Sequence, residues 1–201
     1  MTDWYPDTDN HAKLSEDHPL IRCKGFVFDV DGVLCRGEEI IPRAAEAIER
    51  LRRGGKSVIF ISNNSTKSRE EYIAKFTRLG IPVAANDLVL STYATARYVA
   101  NEQAGAKVYM VGAKGLGREI ELAGLQLVDD PSQAEYVVVG SAFNGKGQLT
   151  PENGERITGA LRALYHARAK FVATNPDRIF PAKDGVVPGT GAVIGALSYM
   201  V

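Results

Sequence analysis

Apolar positions along the chain come in two rhythms. The run Gly25-Phe-Val-Phe-Asp-Val is short and nearly continuous, and so is Ser57-Val-Ile-Phe-Ile-Ser. Apolar runs of this length without polar alternation are the mark of a strand buried in a parallel sheet. Residues 42–53 open with Pro42 and close on Gly54-Gly55, and residues 68–79 close on Gly80, so both stretches predict helices. Strand, helix, strand, helix at this spacing is a βαβ unit, and its handedness places the strands parallel in one sheet. The rhythm then returns with different content. Lys107-Val-Tyr-Met-Val-Gly, Tyr136-Val-Val-Val-Gly and Lys170-Phe-Val-Ala-Thr predict strands. Helices are predicted over 115–123, over 151–168 with Thr150 as N-cap and Pro151 at the first position, and from Gly191 to the end.

These elements make an α/β protein of two units in series. Residues 1–22 carry four Asp by position 17 and no periodicity, and read as a mobile extension pinned by Trp4 and Tyr5. Residues 23–92 hold the first unit and 93–190 the second, with the change near 92–106, where Ala, Gly and polar residues replace apolar strands. Residues 191–201 form the last helix. At 201 residues, 45% of them hydrophobic, the chain is long enough to bury a real core. Lys+Arg and Asp+Glu are both 24, a formal net charge of zero. That balance argues against nucleic acid or an anionic membrane as partner, since both require a basic excess. No apolar run approaches the ~20 residues that span a bilayer, and the acidic N-terminus has no secretory stretch. Cys23 and Cys35 follow no metal-ligand spacing and read as reduced thiols of a cytoplasmic protein.

The chemistry concentrates at Phe28-Asp29-Val30-Asp31-Gly32. Burying two carboxylates at a strand end costs several kcal/mol unless they are paired or bound to a cation. Side chains alternate along a strand, so Asp29 and Asp31 point the same way, into the crevice where open α/β sheets bind ligands. Gly32 permits a sharp exit. Two such acids suit in-line phosphoryl transfer, one attacking phosphorus and the other protonating the leaving oxygen. A phosphate within ~4 Å of a carboxylate is repelled by roughly 4 kcal/mol per unit pair at an effective dielectric of 20, so a cation is implied. Oxygen ligands point to Mg²⁺. The alternative, that both Asp merely cap a turn, stays open on these residues alone. The second strand ends in Ser62-Asn63-Asn64-Ser65-Thr66, hydroxyl and amide donors able to ring an anion. Its plainer role is capping the next helix, through Ser65 or Thr66.

FDVDGVLCRG, then ISNNS, then after a long insert ATNPDRIFP and PGTGAVIGAL, resembles the haloacid dehalogenase superfamily, in its NagD/4-nitrophenylphosphatase branch. The likeness runs in order and spacing from Lys24 to Val201. It implies a Rossmann-like parallel-sheet core interrupted by an α/β cap, and a magnesium-dependent phosphomonoester hydrolase acting through an aspartyl-phosphate. By that likeness Asp29 is nucleophile and metal ligand, and Asp31 is general acid/base, with its backbone carbonyl also binding the metal. Ser62, Asn63, Asn64 and Gly32 bind the phosphoryl group. Asn175, Asp177 and Phe180 lie on the cap loop that contacts substrate, a small phosphorylated metabolite. A homodimer paired through the cap is also in keeping with it.

The chain departs from the family in two places. Cys35 stands where an aromatic residue is usual. The Gly-Lys-Pro and Gly-Asp segments that supply a lysine and a further aspartate are not reached by Val201. The core is therefore expected to be incomplete, and the chain made alone to be weakly stable and nearly inactive. Lys56 lies at the wrong end of its strand to replace that lysine, and Lys67 is a poor candidate. A non-catalytic phosphate-binding or regulatory remnant is the rival reading; a receiver-like domain fits worse, having no cap. Gly189-Thr-Gly191 with Gly195 misses the dinucleotide spacing. Gly112-Ala-Lys-Gly-Leu-Gly reads as a loop opening a helix, Asp129-Asp130 as a turn cap, and His166 as a helix C-terminal residue.

Overall fold

The structure, a computed structural model, describes residues 19–182 and 185–201; the extension expected over most of 1–22, with Trp4 and Tyr5, lies outside them. In chain order the elements are α1 (Pro19–Arg22), β1 (Gly25–Asp29), β2 (Cys35–Arg36), β3 (Glu39–Ile40), α2 (Ala44–Arg53), β4 (Ser57–Ser62), α3 (Arg69–Arg78), β5 (Leu88–Leu90) and α4 (Ser91–Glu102). There follow β6 (Lys107–Val111), α5 (Lys114–Leu122), β7 (Gln126–Leu127), β8 (Tyr136–Val139), α6 (Pro151–Tyr165), β9 (Lys170–Ala173), β10 (Ile179–Ala182), β11 (Gly185–Pro188) and α7 (Thr190–Met200).

Two parallel sheets organise these elements. The first has the order β1-β4-β5, and the second β7-β6-β8-β9. One face of the first sheet packs on α2 and α3, where Ile48, Phe60, Tyr72 and Phe76 are buried together and the Phe60 and Phe76 rings lie 5.1 Å apart. Its other face carries Val27, Ile61 and Val89, which are 63%, 42% and 41% exposed. The second sheet is covered on both faces. Ala160, Ala163, Val193 and Leu197 from α6 and α7 close one side, and Ala96, Val99, Leu116 and Ile120 from α4 and α5 close the other. The strand β8 is buried along its whole length, which explains its unbroken valines. The helix α7 thus packs with the second sheet, and α4 touches both cores, through Tyr93 on one and Ala96 and Val99 on the other.

Local chemistry explains most boundaries. Gly54 closes α2 through its N–H to Arg50 O, and Thr150 caps α6 by accepting from Asn153 N. The cap of α3 is neither Ser65 nor Thr66 but Ser68, whose hydroxyl accepts from Glu71 N while the Glu71 carboxylate accepts from Ser68 N at 2.7 Å. This reciprocal pair satisfies two helix-end donors. It leaves Ser65 to join the units: its Oγ accepts from Ser141 N at 2.9 Å and lies 3.4 Å from Thr190 Oγ1. Gly115 is required at the same junction, because a Cβ there would sit 2.4 Å from the Lys67 backbone. Asp130 caps the turn at Pro131–Gln133, as its position before proline suggests.

Candidate active site

The strand β1 stops at Asp29, and Asp31 sits one step beyond it in a turn. Leu34 and Cys35 N–H groups bond back to Val30 O at 2.9 and 3.2 Å, and Gly32 N donates to Cys35 O at 2.8 Å. Gly32 has φ of 84°, a left-handed conformation in which a side chain is strained. The turn therefore re-aims the chain within three residues and sets Asp31 beside the end of the neighbouring strand. The parallel register pairs Asp29 with Ile61, so Ser62 stands just past it at the carboxyl end of β4.

Ser62 neighbours both acids, each in a different way. With Asp29, Asn63 and Ser91 it lines a recess of about 430 Å³ at the sheet's carboxyl edge. Its Oγ also lies 3.4 Å from Asp31 Oδ2, 3.0 Å from Tyr72 Oη, and accepts from Asn64 N at 3.1 Å. Burial pushes the Tyr72 hydroxyl well above the ordinary tyrosine range, and the Asp31 charge pushes it the same way. The hydroxyl is therefore a fixed donor beneath the site. Burial likewise raises the Cys35 thiol, against the opposing influence of Lys75.

The amide residues divide their work. Asn64 folds its own loop, its Oδ1 accepting from Thr66 N at 3.0 Å and from Thr66 Oγ1 at 2.6 Å. Asn63 turns outward to the second unit. Its Nδ2 donates to Asp177 Oδ2, and its carbonyl accepts from Asn175 Nδ2 at 2.9 Å and from Ser91 Oγ at 3.0 Å. Asn63, Asn175, Asp177 and Phe180 line one cavity of about 580 Å³, facing Phe143 and Asn144. Asn63 borders this cavity and the Asp29 recess alike. Tight packing fixes the loop, since a Cβ on Gly189 would fall 2.3 Å from Asp177 O.

Among the described residues no third His, Cys, Asp or Glu joins Asp29 and Asp31 in a metal-holding group. Lys67 is engaged with Glu38 at 3.2 Å, and Lys56 donates to Ile21 O and Cys23 O. The lysine that does reach an acid, Lys75 beside Asp31, is not singled out by any motif. Its Nζ is 3.8 Å from Asp31 Oδ1. The available signal was a lysine set inside the apolar stripe Tyr72, Phe76 and Leu79 of one helix face.

This geometry can be set beside known proteins. The model of haloacid dehalogenase-like hydrolases matches residues 26–126. The chain belongs to that family. Among solved structures, p-nitrophenyl phosphatase from Archaeoglobus fulgidus is 45% identical with a TM-score of 0.79, over 89% of this chain and 65% of that one. Glycerol phosphate phosphatase from Mycobacterium tuberculosis, in complex with magnesium, is 28% identical with a TM-score of 0.75, over 89% and 51%. An acid sugar phosphatase of Staphylococcus saprophyticus is 37% identical over 175 residues. The alignment takes in 87% of this chain, which spans 64% of that relative's length. The NagD/4-nitrophenylphosphatase branch of the haloacid dehalogenase family is thus where this chain falls, and its α/β fold agrees. Among the described residues no helix is long and apolar enough to cross a membrane.

Proposed function

We propose that the protein is a magnesium-dependent phosphomonoester hydrolase working through an aspartyl-phosphate on Asp29. The observation that carries this reading is Ser62, which shares a recess with Asp29 and lies 3.4 Å from the Asp31 carboxylate. Nucleophile, acid/base and a hydroxyl donor are thereby gathered at two adjoining strand ends, where such sheets bind ligands. Asp29 attacks phosphorus, the bond to the leaving oxygen breaks, and Asp31 delivers a proton to that oxygen. Asp31 then takes a proton from the water that hydrolyses the acyl phosphate. Ser62 and the backbone around Gly32 hold the phosphoryl oxygens.

Oxygen donors of this kind fit Mg²⁺, which is commonly held by one or two carboxylates together with waters and substrate phosphate. The Asp29 carboxylate and the Asp31 backbone carbonyl would hold it, leaving the Asp31 carboxylate free for proton transfer, and the ion would offset the repulsion between phosphate and carboxylates. The full-length protein is expected to release phosphate from 4-nitrophenyl phosphate with Mg²⁺. A chelator should lower that rate by at least about 100-fold, with recovery on adding Mg²⁺ back. Undiminished turnover in chelator would refute the metal assignment.

The leaving group is assigned to the cavity shared by Asn63, Asn175, Asp177 and Phe180, since it adjoins the recess at Asn63. Its polar amides and apolar rings suit a small hydroxylated metabolite, in line with the names of the relatives. Phe180→Ala is expected to raise KM about 3- to 10-fold with kcat little changed, the signature of lost uniform binding. Steady-state kinetics with a sugar phosphate checks this. Pairing of two copies through the cap belongs to the same reading, and light scattering reads it directly. The free thiols Cys23 and Cys35 support a cytoplasmic setting.

A further inference from the structure

One buried cation has no part in the chemistry above. The Lys75 side chain is only 5% exposed, between Tyr72 and Phe76, both at 0%. Lysine is almost never buried so deeply unless paired, because stripping water from an ammonium costs several kcal/mol. Its ionic partner is Asp31, at 3.8 Å from Nζ to Oδ1. The other oxygen, Oδ2, meets Ser62 Oγ at 3.4 Å and Tyr72 Oη at 3.5 Å, and those hydroxyls lie 3.0 Å apart. Asp31 is thus met on both oxygens by groups rooted in α3 and β4. A carboxylate in a turn would otherwise sample several rotamers.

We propose that Lys75 is a positioning residue for proton transfer: with the Tyr72–Ser62 hydroxyl pair it holds Asp31 in one orientation toward the leaving oxygen. The inference rests on the reading of Asp31 as the acid/base. As the Asp29–phosphorus bond forms and the ester bond breaks, the Asp31 proton passes to the departing oxygen. The carboxylate left behind then faces the ammonium.

This makes a demand that a merely structural lysine does not. 4-Nitrophenolate leaves as a stable anion, whereas an alkoxide must be protonated. The value of kcat/KM covers only steps through phosphoryl transfer, so the ratio between 4-nitrophenyl phosphate and glycerol phosphate isolates the acid. In the full-length protein, Lys75→Met is expected to lower kcat/KM for glycerol phosphate at least about tenfold more than for 4-nitrophenyl phosphate. Lys75→Arg should restore most of that ratio, and Asp31→Asn should exceed it. Equal losses on both esters, or none, would overturn the proposal. If Lys75→Met does not fold, Lys75→Gln decides by the same ratio; if neither neutral variant folds, the lysine is structural and the proposal fails. Asp29→Asn separates the two readings: activity surviving it refutes the phosphatase mechanism, while its loss beside an unchanged Lys75 ratio refutes only this one.

Discussion

Asp29→Asn is expected to lower the hydrolysis of 4-nitrophenyl phosphate by at least about 10⁴-fold in the full-length protein while leaving its folding intact. The amide keeps the shape of the carboxylate but cannot attack phosphorus, and removal of a covalent nucleophile elsewhere costs on the order of 10⁶-fold. Asp29 is exposed at the end of β1 and packs against no buried cluster, so the substitution has little to disturb. The thermal midpoint should therefore move by less than about 2 °C, since surface changes stay within about 0.5 kcal/mol. Trapping with radiolabelled substrate supplies the second measurement: an acid-stable, base-labile phosphoprotein forms in the parent and not in the variant. Residual turnover within tenfold of the parent would remove Asp29 from the mechanism and favour a phosphate-binding remnant.

The largest effect on stability is expected away from the chemistry, at Glu119. This carboxylate in α5 is 1% exposed, accepts from Arg69 N at 2.6 Å and lies 3.3 Å from Arg69 Nε. Arg69 opens α3, and its guanidinium lies over the Tyr93 ring at 3.7 Å. Glu119 therefore satisfies an orphan N–H at a helix start, complements the positive end of that helix and pairs with a cation. Removing one member of a buried pair leaves the other uncompensated, which costs about 3–5 kcal/mol. For a domain of this size Glu119→Ala should lower Tm by about 6–20 °C, read by calorimetry. Because α3 also carries Tyr72 and Lys75, loosening its N-terminus should lower kcat as well. A Tm within 2 °C of the parent would mean that this buried pair does not hold the two units together.

Misreadings have local causes. The helix α4 was hidden because its buried positions are Thr92, Thr95, Ala96 and Val99, two of them polar. Thr92 is tolerated there because its hydroxyl donates to Lys67 O at 3.1 Å, a bond no pattern of apolar residues reveals. The hairpin β10–β11 was hidden by Pro181 and by Gly185, whose φ of 131° few residues adopt.

The strands β1, β4, β6, β8 and β9, most helices and the acid-rich turn at 29–32 are readable in advance because each is written in neighbouring residues: apolar runs, a proline at one end, a glycine at the other. Order and spacing of those pieces also sufficed for the family. Three-dimensional packing alone settled which groups surround the acids. Asn63 bonds to residues 112 and 114 positions away, and Asp31 meets Tyr72 across 41 positions. Those pairings depend on strand register, on the face a helix turns inward and on glycines thin enough for close approach. None of these is a local property of the chain, which is why Lys75 looked like an ordinary helix lysine until its helix was laid against β4.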